Sequence, residues 1–288
     1  MSLPAAFDYH PAKTVDEAIA LLQQYGDDAK LLAGGHSLLP TMKLRLAQPA
    51  HLVDIGKIGG LSYIREENGA VAVGAMTTYT TIEQSDILSR HFALLPEGTS
   101  VIGDPQVRNR GTIGGSIAHS DPAADMPGIV QALKADILVQ GPDGVRTIKA
   151  DDFFKGLFET ALQPDEIITE IRFAIPPART GSTYMKLENK ASHYAVAGCA
   201  AVVTLDGDGT CSSVSVVITG ASEKATRANA VEAALVGKKL DEATVAAAAA
   251  HAADGLALLG DIHGSREYRA QMSAVMARRA ILRAAERV

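Results

Sequence analysis

Two short segments pair glycines with a following hydroxyl residue: Ala33-Gly34-Gly35-His36-Ser37 and Thr112-Ile113-Gly114-Gly115-Ser116. Glycine lets the backbone approach a ligand closely and admits positive φ angles. Successive bare N–H groups in such a turn form a nest for an anion. The Ser and Thr hydroxyls can donate to phosphate oxygens. Two nests facing each other would hold one diphosphate from both sides, with Arg108 and Arg110 adding positive potential nearby. A tight turn with no ligand is the competing reading of either segment alone. Neither segment has the three spaced glycines of a Rossmann fingerprint, and there is no Gly-Lys-Ser/Thr P-loop. His119-Ser120-Asp121 has the residue types of a hydrolase triad, but adjacent residues cannot reach triad geometry on one backbone turn. The residues themselves thus point to a phosphate-bearing ligand and no further.

The elements around these turns follow from local pattern. Thr14 and Glu17 form a capping box for a helix in which Val15, Ala18, Ile19 and Leu22 recur at helical spacing and Gly26 is the stop. Lys30 to Ala33 reads as an inner strand running into the first glycine pair, and His51 to Ile55 as a second strand. Asn68-Gly69 joins strands over Ser62 to Glu66 and Ala70 to Gly74, a hairpin signal. One helix is expected over Thr81 to Arg90 and another over Ala124 to Lys134, with Asp125 near its start. A hairpin spans Asp136 to Ile148, and Ile167 to Ile175 alternates as a strand. Pro176-Pro177 marks a domain boundary. Beyond it, strands are read over Ser182 to Leu187, Val196 to Leu205 and Val214 to Thr219, followed by Ala-rich helices from Asn229 onward.

Bulk properties narrow the class. The chain has 288 residues, enough for two domains. Its formal net charge of -6, with no long Lys/Arg block, argues against nucleic acid as a partner. No apolar stretch is long enough to span a bilayer, and no secretory signal is visible, so the chain reads as cytoplasmic, with the inner membrane face reached only through a complex. There are 2 cysteines, Cys199 and Cys211. An iron–sulfur cluster normally takes about four thiolates, so this chain alone cannot hold one, and no metal site is expected. Cys199 reads as a small buried hydrophobe, and a Cys199–Cys211 disulfide is the minor alternative.

The ordered pair of motifs resembles the FAD-binding medium subunit of carbon monoxide dehydrogenase and its relatives, the xanthine dehydrogenase, quinoline oxidoreductase and aldehyde oxidoreductase group of molybdenum hydroxylases. Further matches run from Phe7-Asp8-Tyr9-His10 through Gly74-Ala75-Met76-Thr77-Thr78, Asp121-Pro122, Asp125-Met126-Pro127 and Asp165-Glu166-Ile167-Ile168 to Lys186 and His193-Tyr194-Ala195. The resemblance implies an α+β fold. Residues 1–177 would form an FAD-binding domain of the vanillyl-alcohol oxidase/MurB type, with subdomains of roughly 1–58 and 59–177. Residues 178–288 would form a smaller domain with a three-stranded sheet and a helical bundle.

It also implies a site. Leu32, Ala33, Gly34, Gly35, His36, Ser37, Leu38 and Leu39, with Thr112, Ile113, Gly114, Gly115 and Ser116, would wrap the diphosphate of non-covalent FAD. Asp125 would bond a hydroxyl of the sugar or ribityl chain. Ile102 and Ile168 would pack on the cofactor, Lys186 would approach the polar edge of the isoalloxazine, and Tyr194 would screen the ring from solvent. Read alone, Asp125 is a helix-start carboxylate, Lys186 a solvated strand lysine and Tyr194 a half-buried ring. No catalytic acid or base stands out.

The implied complex has a large molybdenum-cofactor subunit and a small subunit with [2Fe–2S] clusters, arranged as a dimer of heterotrimers, with this chain passing electrons to an external acceptor. Carbon monoxide, an aldehyde or an N-heterocycle all stay open as the substrate. The rivals are a stand-alone MurB-like flavin oxidoreductase with its own substrate site and a scaffold subunit without cofactor. Gly115→Val is expected to crowd the phosphate and yield a folded apoprotein. Flavin absorbance together with circular dichroism checks this, and full FAD occupancy would contradict the assignment.

Overall fold

The computed structural model describes residues 3–288. The first lobe comprises β1 (Asp8–Pro11), α1 (Val15–Tyr25), β2 (Ala29–Leu32), α2 (Leu38–Lys43) and β3 (His51–Asp54). Thr14 caps α1, its Oγ1 accepting the Glu17 N–H at 3.0 Å. The Glu17 carboxylate accepts from the Lys13 N–H rather than that of Thr14, which shifts the box by one residue. Gly26 ends the helix at a φ of 53°. The three strands are parallel in the order β1-β3-β2. β2 is therefore an edge strand, not the inner strand expected, because β3 takes the centre and β1 the far edge. Ala18, Ile19 and Leu22 of α1 pack onto Val53 and Ile55, leaving the β2–α2 connection at the end of the sheet.

The second lobe opens with β4 (Ile64–Glu67) and β5 (Ala70–Gly74), joined by Asn68 and Gly69 at φ values of 51° and 74°. Both central residues have positive φ, as a type I′ hairpin turn requires. The single helix expected next is two, α3 (Tyr79–Glu83) and α4 (Asp86–His91). Ser85 breaks it by turning extended and accepting the Leu88 N–H on its own hydroxyl. Then come α5 (Leu94–Ser100), α6 (Pro105–Arg108), α7 (Ile113–His119) and α8 (Asp125–Ala132). β6 (Asp136–Gly141) and β7 (Gly144–Lys149) form the expected hairpin. α9 (Ala150–Phe153), the small pair β8 (Phe154–Gly156) and β9 (Glu159–Thr160), and β10 (Ile167–Ala174) complete the lobe. The antiparallel sheet runs β4-β5-β10-β6-β7. Its core holds Phe92, Leu95, Ile117, Met126, Ile129 and Phe173.

The last part contains β11 (Thr180–Glu188), β12 (Ala195–Leu205), β13 (Cys211–Thr219) and β14 (Thr226–Arg227), followed by α10 (Asn229–Leu235), α11 (Glu242–Ala249) and α12 (Arg266–Ala285). Its sheet has 4 strands rather than the expected three, since β14 has 2 residues, too few to show a period. One face packs on α12 and the Ala-rich helices. From the other face Tyr184, Ala200 and Val217 enter the core of the second lobe. That shared core fixes β11 beside α5 and α8, which matters for the site. Both cysteines are free and buried. Among the described residues no helix is long and apolar enough to cross a membrane.

Arg146 of β7 donates two bonds, at 2.6 and 2.7 Å, to Glu166 just before β10. Hydrogen bonding from Arg146 lowers the Glu166 pKa below the ordinary glutamate value. A carboxylate with a depressed folded-state pKa adds stability above its unfolded pKa and loses it as pH falls through the folded value. Arg146→Gln should therefore narrow the difference in melting temperature between about pH 7 and about pH 3. An unchanged difference would show that the pair contributes nothing.

Candidate functional site

The first glycine pair leaves β2 and enters α2. Gly35 has a φ of 76°, the left-handed region that glycine adopts without a steric penalty. From Gly34 to Leu38 no N–H finds an acceptor within the chain among the described residues, and the first amide engaged is that of Leu39, bonded to the Gly35 carbonyl at 3.1 Å. His36 is exposed and its Nδ1 lies 3.1 Å from the Gly34 carbonyl oxygen. Five consecutive peptide donors on a half-exposed loop are the group an anion needs. Leu32 closes β2, and Leu39, at 37% exposure, lies against Gly35.

The second pair is built differently. Thr112 caps α7, its Oγ1 accepting the Gly115 N–H at 3.2 Å. The amides of Ile113, Gly114 and Ser116 are bound to the carbonyls of Thr77, Ala75 and Thr112. The expected second nest is therefore absent: these amides serve the α7 cap and its attachment to the segment after β5. What the segment offers a ligand is bare backbone at Gly115 and the Ser116 hydroxyl. Ile113 and Gly114 are buried.

The two segments meet. A Cβ on Gly34 would overlap the Arg110 carbonyl oxygen, and one on Gly115 would stand 3.7 Å from the Ala33 methyl and 2.8 Å from Thr112 Oγ1. The close approach of the two lobes thus depends on missing side chains. Arg108 donates to Glu83 and to the carbonyls of Ile102 and Gly103, so it shapes the loop before α6.

Beneath the glycine turns lies a buried polar group. Asp125 opens α8 and is 5% exposed. Its Oδ1 accepts from the Tyr184 hydroxyl at 2.6 Å and its Oδ2 from Lys186 Nζ at 2.9 Å. Burial pushes its pKa up, opposed by the Lys186 charge and the two bonds. Lys186 Nζ donates also to the carbonyls of Val101 and His193, each at 2.7 Å. Those three bonds occupy all three of its protons. The lysine expected at a flavin edge is thus paired with Asp125 in this structure. Ser116 faces the buried Tyr79 phenol, whose pKa burial raises.

Ile102 follows Val101 and is half-buried, and Tyr194 follows His193 and is 43% exposed. Ile168 lies in the main core with 5% of its surface exposed, which confines any ligand contact to that sliver. Sequence reading missed Tyr184, although it stands two residues before Lys186, and strand alternation puts both on one face of β11. It also missed Tyr79, whose ring fills the space a Gly111 side chain would need.

A two-lobed α+β fold, with glycine turns from both lobes meeting at a run of free amides, defines a protein that binds a dinucleotide between its lobes. Residues 5–177 match the family described as the FAD binding domain in molybdopterin dehydrogenase, and residues 182–284 the CO dehydrogenase flavoprotein C-terminal domain. The chain is 43% identical over 285 residues to the carbon monoxide dehydrogenase medium chain of Afipia carboxidovorans, with 99% of each chain covered. It superposes with a TM-score of 0.95 and 47% identity on a chain of carbon monoxide dehydrogenase from Hydrogenophaga pseudoflava, covering 99% of this chain and 98% of that one. A chain of quinoline 2-oxidoreductase from Pseudomonas putida gives 0.92 and 34%, covering 99% and 98%. The chain belongs to the family of FAD-binding medium subunits of the molybdenum hydroxylases, and it is an oxidoreductase subunit.

Gly34→Ala tests the meeting of the lobes. The added methyl would collide with the Arg110 backbone, which cannot rotate away. A loss of about 1–3 kcal/mol in unfolding free energy is expected, with FAD binding weakened alongside it, as denaturant titration and flavin absorbance would show. Wild-type stability in this variant would mean that the turns do not pack as described.

Proposed function

We propose that this chain is the FAD-binding electron-transfer subunit of a three-chain molybdenum hydroxylase. It would sit between a large molybdenum subunit and a small iron–sulfur subunit, in a dimer of such trimers in the cytoplasm. The observation that carries the reading is the run of unpaired amides from Gly34 to Leu38, with the second glycine segment packed against it. That donor set fits a diphosphate, and the absence of a side chain at Gly34 lets the Arg110 backbone pack against the loop that carries it.

Bound FAD exchanges electrons singly or in pairs, so it can link one-electron carriers to a two-electron acceptor. The chain's own residues bind and orient. The Gly34–Leu38 amides would hold the diphosphate, and the Ser116 hydroxyl would donate to it. Asp125 would accept from a hydroxyl of the sugar or ribityl chain on lone pairs left free by Tyr184 and Lys186. Ile102 and Tyr194 would wall the ring and limit water. Ile168 would touch it only at its exposed margin. Leu32, Ala33, His36, Leu39, Thr112, Ile113 and Gly114 would act through loop shape. We also assign the division at Pro176-Pro177 into residues 1–177 and 178–288 to this architecture.

The substrate of the complex would be chosen by the large subunit, as the names of the two similar structures, a carbon monoxide dehydrogenase and a quinoline oxidoreductase, suggest. Carbon monoxide, an aldehyde and an N-heterocycle are the classes to test. Spectra of the chain alone and of its complex distinguish the rivals. Flavin bands that bleach with substrate only in the complex are expected. Bleaching of the isolated chain by a substrate would support a stand-alone oxidoreductase, and a colourless complex would support a scaffold.

A further inference from the structure

We propose that His10 and His51 form a two-imidazole site for one divalent transition-metal ion of the class that includes copper(II), nickel(II) and zinc(II). This inference is independent of the flavin reading. His10 stands on β1 and His51 on β3, which pair in parallel with Asp8 opposite His51 and His10 opposite Val53. Side chains two apart on a strand share a face, so His10 follows Asp8 onto the side where His51 stands. His10 Nε2 and His51 Nδ1 lie 3.1 Å apart. Two metal–nitrogen bonds of about 2.0–2.1 Å, opening at an angle between square and tetrahedral, span roughly 2.9–3.4 Å. The two nitrogens therefore already stand at the bite of one ion. Among the described residues no group of three or more histidine, cysteine or acidic side chains gathers to hold one, so water would fill the remaining positions.

The rings are held in place before any ion arrives. Tyr25, the last residue of α1, stacks on His51 with ring centres 3.8 Å apart and planes at 19°. It stacks on His10 as well, at 4.9 Å and 29°. Rings already fixed lose little rotamer freedom on binding, the cost that weakens a two-ligand site on mobile side chains. Asp8 Oδ2 lies 3.8 Å from His51 Nδ1 and offsets part of the ion's charge. Without an ion, one neutral ring donates its N–H to the other across the gap. On binding, that proton moves to the far nitrogen of its own ring, and both facing lone pairs turn to the metal. Imidazole suits these ions, whereas magnesium and calcium take oxygen ligands. His51 pairs with Ala29 at the beginning of β2, while the Gly34–Leu38 amides follow Leu32 at its end. The length of β2 separates the two, so an ion here would bridge β1 and β3 without reaching the diphosphate loop.

Calorimetric titration of the untagged full chain with nickel(II) tests this. One ion should bind the wild type, and His10→Gln or His51→Gln should weaken binding by about tenfold or more. The ion should also raise the melting temperature of the wild type, as a ligand that binds the folded state does, and leave that of either variant unmoved. His251→Gln, which removes a histidine paired with Asp254 elsewhere, should alter neither result. Equal binding by the wild type and both variants would show scattered coordination by surface imidazoles and overturn the proposal. Absence of binding, or of the rise in melting temperature, would overturn it too. Should His51→Gln not fold for want of its stack on Tyr25, His10→Gln alone decides. The FAD content of the complex carrying His10→Gln should equal that of the wild-type complex, and loss of FAD there would place the pair in the cofactor site and overturn the inference. A wild-type complex without FAD would sink the functional reading and leave this one standing.

Discussion

Peptide N–H groups without partners are the constraint around which this molecule is arranged. Between Gly34 and Leu38 the chain leaves β2, takes a left-handed step at Gly35 and enters α2, and its amides have no acceptor within the protein among the described residues. Were the loop sealed against protein, each such amide would cost about 1–3 kcal/mol. It stays half-exposed, where water or a diphosphate can accept from it. Parallel strand order in the first lobe places the loop at the end of the sheet, and the helices of the second lobe bring the other glycine segment against it.

The two segments have similar sequences and different duties. In the first, glycine frees donors for a ligand. In the second, glycine permits contact: Gly114 lets α7 approach Ala75, while the amides of Gly114 and Gly115 are bonded within the chain. One nest facing a smooth wall gives a directional site. In the proposed site a diphosphate would be held from the first lobe, with the space beside it limited by the second. The buried Asp125–Lys186 pair then connects this region to the last sheet, which brings Tyr194 to the same side.

Much of this was legible in the sequence, for identifiable reasons. The helix capped by Thr14, the Asn68-Gly69 hairpin, the Asp136–Ile148 hairpin and the long strands of the last sheet are set by local chemistry and period, and they stand where pattern put them. The split of the helix at Ser85, the edge position of β2 and the added β14 were not legible, because they depend on which segments become neighbours in space. The glycine motifs announced a phosphate site, but composition could not tell free amides from bonded ones, and only the second segment's attachments to Thr77 and Ala75 separate the two cases. Lys186 shows the same limit. Read alone it was a solvated strand lysine, whereas it is buried and its three bonds join three segments.

A crystal structure of the chain in complex with FAD tests the central claim most directly. Diphosphate oxygens should lie within hydrogen-bonding distance of the Gly34–Leu38 amides, with Gly115 in van der Waals contact across from them. A diphosphate bound elsewhere, with those amides still facing only water, would contradict the proposed site and the role built on it.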